Sequence, residues 1–183
     1  MAHYNLERFS VLVVEDNLFI RSLIVNSLKT LGVGQVSACE DGGEAIEFLK
    51  LVKENPMKAG TQGIDIIISN WQMSPVDGMM LLRWVRRHKD STDRFVPFIM
   101  ITAFSDGGRV AEARDLGVSE FLTKPFSIES VWQKILAVID RPRQFVHTAD
   151  YFGPDRRRRR MDFEGPERRT LTDDSPEVEI IRG

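Results

Sequence analysis

One cysteine, Cys39, stands in 183 residues. An intramolecular disulfide framework is therefore excluded, no cysteine spacing suits a metal, and a reducing compartment, the cytoplasm, is expected. Long apolar runs are also missing. No window approaches the ~20 residues needed to span a bilayer, and the start MAHYNLERFS lacks a cationic region followed by an apolar stretch. Neither secretion nor membrane insertion is expected. Histidine is scarce as well: His3, His88 and His147 have no carboxylate or nucleophile at a useful spacing, so hydrolytic and metal chemistry find no support in them. Lysine is absent from the last 43 residues, where all ten cations are Arg. That bias favours planar, bidentate or stacking contacts, which an ammonium group cannot make.

What is present suits one core and an added segment: 42% hydrophobic, 28% charged, net charge −2. Residues 1–140 hold 15 Lys+Arg against 18 Asp+Glu, and 141–183 hold 10 against 9. Apolar runs rich in branched residues recur at 11–14, 64–69, 96–102 and 119–123, with a weaker one at 35–39. Between them, 17–31, 43–54, 77–89, 106–116 and 127–140 carry apolar residues at helical spacing, as in Ile128, Val131, Ile135 and Val138. Five strands alternating with five helices predict an α/β fold, a doubly wound parallel sheet covered on both faces. From Arg141 onward Pro142, Gly153, Pro154, Gly165, Pro166 and Pro176 interrupt every periodicity, which predicts an extended or disordered tail over 141–183 behind a domain over 1–140. The polar stretch 55–63 is expected to be a mobile loop. Trp71, Trp84 and Trp132 read as packing or partner-facing aromatics, and the run Arg83, Arg86, Arg87, His88, Lys89 as a solvated helix face.

In such sheets the site lies beyond the carboxyl ends of the strands. Glu15 and Asp16 follow the first strand as adjacent carboxylates, a costly pairing unless a cation lies between them. A hard divalent ion such as Mg²⁺ would serve. Asp16 is equally suited to cap the helix beginning near Asn17. Asn70 ends the third strand, Thr102 the fourth, and Lys124-Pro125-Phe126 follows the fifth.

With Asp77-Gly78 and Pro97, these five elements, in this order at these strand ends, resemble the response-regulator receiver family over roughly residues 9–140. The resemblance implies a flavodoxin-like (βα)5 sheet of order 2-1-3-4-5. It further implies Mg²⁺ held by Glu15, Asp16, residue 70 and the Gln72 carbonyl, a phosphoryl group taken from a histidine kinase, and Lys124, Thr102 and Phe121 as switch residues. The partners it implies are a histidine kinase or a flagellar or chemotaxis component, with no enzymatic output. At the centre this chain departs from the pattern, since Asn70 stands where the family has its acceptor Asp. An amide cannot become an acyl phosphate, and losing one charge weakens the metal site, so Mg²⁺ is expected to bind weakly or not at all. Lys124 should then pair with Asp16 or Glu15. Ser74-Pro75 is a second departure.

The tail repeats Gly-Pro-acid-Arg-Arg at 153–157 and 165–169, twelve residues apart. Arg forks suit guanine edges and phosphates, and a carboxylate can accept from guanine N1 and N2. Asp155, Arg156, Arg157, Arg158, Arg159, Arg160, Glu167, Arg168 and Arg169 are thus candidates to bind cyclic di-GMP, and the tail looks like the Arg-rich extensions of chemotaxis-type receivers that do so. The alternatives are a charge-balanced tail docking on a protein, or nucleic acid, which a tail net charge of only +1 (10 minus 9) disfavours.

Overall fold

The computed structural model describes residues 5–103, 107–155 and 175–181. Within them the apolar runs form β1 (Ser10–Val14), β2 (Gln35–Cys39), β3 (Ile66–Asn70), β4 (Phe98–Thr102) and β5 (Glu120–Thr123). All four pairings are parallel, in the order β2-β1-β3-β4-β5. Strict side-chain alternation divides the core in two. Leu12, Val14, Ile67, Phe98 and Met100 face the layer covered by α2 (Gly42–Glu54), α4 (Gly78–Arg87) and α5 (Gly107–Leu116). Val11, Val13, Ile68, Ile99 and Ile101 face the layer under α1 (Leu18–Thr30) and α6 (Ile128–Asp140). Because both faces are covered, β1, β3 and β4 are buried at every residue.

Local chemistry sets the helix starts. Asn17, Asp41, Asp77 and Ser127 each accept backbone N–H groups of the turn they open. Asn17 caps α1, not Asp16, so the capping role considered for Asp16 does not hold and its carboxylate is left for the strand ends. Gly78 is dictated by contact: a Cβ there would stand 2.2 Å from the Asn70 carbonyl oxygen. The stretch 55–63 holds a one-turn helix, α3 (Pro56–Ala59), opened by Asn55 and closed by Gly60 at φ 74°.

Beyond α6 the described residues include three short strands. β6 (Phe145–His147) pairs antiparallel with both β7 (Phe152–Pro154) and β8 (Glu179–Ile181). Phe145 and Phe152 are buried and meet Phe95 edge-on at 5.1 and 5.5 Å. Beside them, Arg86 corrects the reading of its segment as a solvated face. It is fully buried, with Nε donating to the Gly117 carbonyl at 3.0 Å and Nη1 to those of Arg94 and Val96 at 2.9 and 2.8 Å. Its Cζ lies 5.3 Å from the Phe145 ring centroid, and burial pulls its pKa down to about 10. Among the described residues its Nη2 has no partner.

Candidate functional site

At the carboxyl edge of the large sheet, the turns after β1, β3 and β5 bring four polar side chains together. Asn70 is at the centre, 8% exposed. Its Nδ2 donates toward Glu15 Oε1 at 3.2 Å, Asp16 Oδ1 at 3.1 Å and the Gln72 carbonyl at 2.8 Å. Its Oδ1 accepts from Lys124 Nζ at 3.2 Å, while the same ammonium donates to Glu15 Oε2 at 2.8 Å. The expected pairing of Lys124 with the acid pair is thus made to Glu15. The amide orientation follows from charge: turned over, Oδ1 would face two carboxylates and the NH₂ would face an ammonium group.

The two carboxylates differ. Burial raises the pKa of Glu15, and the neighbouring Asp16 adds to the rise, while Lys124 opposes it. Burial also acts to raise Asp16, but hydrogen bonds involving Glu15 and Asn70 prevail and hold it below its ordinary value. Arg21, which sequence reasoning passed over, donates to the Glu15 carbonyl at 2.6 Å and pairs with Glu40 at 2.9 Å. Its place one turn into α1 was the available signal.

Thr102 and Trp71 line the same cleft, of about 250 Å³. Phe121 does not. It is half-buried against the layer that contains Met100, so the candidate residues separate into a cleft group and one aromatic outside it. Among the tail candidates Asp155 is described, and its carbonyl accepts from Arg143. Arg156, Arg157, Arg158, Arg159, Arg160, Glu167, Arg168 and Arg169 lie outside the described residues.

Glu15, Asp16 and the Gln72 carbonyl are hard oxygen donors aimed at one point, which is the donor chemistry Mg²⁺ takes. These three would hold the ion, which would supply local positive charge beside residue 70. That point is where Asn70 Nδ2 now stands. To offer oxygen instead, the amide must turn over and set its NH₂ against Lys124. Metal binding and the Asn70–Lys124 hydrogen bond therefore oppose each other. Among the described residues no third carboxylate joins the pair.

A five-stranded parallel sheet in this order, with an acid pair, a strand-end threonine and a lysine meeting at its carboxyl edge, is the architecture of a signalling receiver. The chain belongs to the response regulator receiver domain family, whose model matches residues 11–136. It is 28% identical over 131 residues to the chemotaxis protein CheY of Pseudomonas aeruginosa, a match covering 72% of this chain and 96% of that one. To a probable chemotaxis protein CheY of Rhizobium etli it is 32% identical over 132 residues, covering 72% and 93%. The solved structure of chemotaxis protein CheY4 of Vibrio cholerae superposes with a TM-score of 0.59 at 27% identity, covering 71% of this chain and 98% of that one. Among the described residues no helix is long and apolar enough to cross a membrane.

Proposed function

We propose that this receiver signals in the cytoplasm by presenting one standing surface to a protein partner, a histidine kinase or a flagellar or chemotaxis component, without phosphorylation at residue 70 and without catalysis of its own. The observation that supports this reading is the Asn70 amide, which makes with its own hydrogens the contacts a cation would otherwise make to Glu15, Asp16 and the Gln72 carbonyl. Its nitrogen lone pair is delocalised, so it offers no nucleophile for phosphoryl transfer. The likeness to chemotaxis proteins supports the kind of partner named.

The test is Asn70→Asp. Intact mass after acetyl phosphate treatment should show no phosphoryl group on the parent chain and one on the variant. Mg²⁺, followed by the fluorescence of Trp71 in the cleft wall, should bind the variant more tightly by about tenfold or more, since a carboxylate restores charge to the donor set. An acid-labile phosphate on the parent, or equal Mg²⁺ affinity in the two forms, would sink the reading.

A second reading rests on the repeated Gly-Pro-acid-Arg-Arg at 153–157 and 165–169, in which the chain binds cyclic di-GMP through those residues. Cyclic di-AMP should then bind at least about tenfold more weakly, because a bidentate guanine contact contributes roughly 1 to 3 kcal/mol. Replacing Arg157 and Arg169 by Lys, which keeps charge and removes the fork, should also weaken binding. No heat on titration with cyclic di-GMP would end this reading.

A further inference from the structure

Pro142 follows α6, and there the chain turns back across the start of β5 instead of leaving the domain. Arg143 secures the turn, donating to the Ser119 carbonyl at 3.4 Å and to that of Asp155. Between this linker, α6 and β5 lies a cavity of about 620 Å³. Organic ligands of roughly drug or nucleotide size occupy pockets of about 300 to 1,000 Å³ that are mainly apolar, with a few convergent polar groups. This cavity has that make-up. Pro97, Val138, Pro142 and Phe145 give it flat apolar walls, and Phe145 is fixed by its edge contact with Phe95 at 5.1 Å.

The polar groups favour an anion. Three cations, Lys134, Arg141 and Arg143, line the cavity against two carboxylates, Glu120 and Asp155. Lys134 and Glu120 neutralise each other at 3.1 Å. Arg141 is exposed at the rim and makes no hydrogen bond or ion pair to any described residue, and a guanidinium fork is the group that pairs bidentately with a carboxylate or phosphate.

We propose that this cavity binds an aromatic anion of mononucleotide size, its ring against Pro97 and Pro142 and its anionic group at Arg141. The site is on the opposite edge of the sheet from Asn70 and stands apart from the receiver reading, so Asn70→Asp should leave it unaltered.

Calorimetry on the full chain with 5′-AMP, adenosine and ribose 5-phosphate separates ring from anion. AMP should bind, and each half-ligand should bind about tenfold more weakly or worse, a loss of roughly 1.4 kcal/mol per factor of ten. Arg141→Ala should weaken AMP about fivefold or more and leave adenosine unchanged, as expected of one charge-assisted contact. Ala137→Trp, which fills the cavity from α6, should abolish AMP binding. No heat from AMP, ribose 5-phosphate binding as well as AMP, or AMP affinity surviving Arg141→Ala while falling in Arg157→Lys would overturn the proposal. Should Ala137→Trp fail to fold, the half-ligand and Arg141→Ala comparisons decide alone.

Discussion

Among the described residues, Lys124 is the cation that donates to both Glu15 and the Asn70 amide. Its side chain is 21% exposed, whereas that of Glu15 is 1% exposed, so Lys124→Met would leave a buried carboxylate without its counter-charge. Breaking such a pair costs about 3 kcal/mol at neutral pH. At about pH 5 the loss should be smaller, because Glu15, already raised by burial, can shed its charge by taking a proton. Urea unfolding of parent and variant at both pH values measures this, and equal losses would mean that Glu15 takes up no proton between them. In the parent, the raised pKa means that the folded state binds a proton more readily than the unfolded chain. The Glu15 contribution therefore improves as pH falls through its folded value toward the ordinary 4.5. Asp16 works in the other sense: its contribution is present above the ordinary 3.8 and is lost as pH falls further.

At the scale of elements, the β6–β7 hairpin is held to α4 and α5 by a close backbone approach. A Cβ on Gly153 would come within 2.8 Å of the Gly117 Cα and 2.7 Å of the Tyr151 hydroxyl, and Gly117 sits at φ 99°. Gly153→Ala should therefore lift the hairpin, at about 1 to 3 kcal/mol, the usual cost of overpacking. Amide exchange at Val146 should speed up while exchange in α1 does not; unchanged exchange would show that the contact can relax. The same elements mark how far the sequence could be read. β1, β3 and β4 were legible because strands covered on both faces are continuous apolar runs, and the cleft residues because each closes a strand. The three-residue strands β6, β7 and β8 were not legible, since so short a segment shows no period among Gly and Pro. Nor was the burial of Arg86, which depends on Phe145, 59 residues further on (145 minus 86), and has no trace in its own helix, where Arg83 and Arg87 are exposed.

For the molecule as a whole, the packing of Phe145 and Phe152 on Phe95 and Arg94 bears on what holds together when the chain is cut. Arg94 stands 3.5 Å over the Phe152 ring, and each buried Phe contributes about 1.5 to 3 kcal/mol. A chain stopped after Asp140 should lose stability, by less than the roughly 3 to 6 kcal/mol of gross burial because the cost of ordering the segment is removed with it. Scanning calorimetry should show a lower melting temperature than the full chain, and matching temperatures would make the hairpin an ornament. The family pattern closes at residue 136, yet the aromatic seal at the base of the sheet is made by residues that come after it. The portion that recurs across relatives and the portion that melts as one body should therefore have different borders here. The full chain should give a single endotherm whose calorimetric and van't Hoff enthalpies agree, with β6 and β7 inside the cooperative unit.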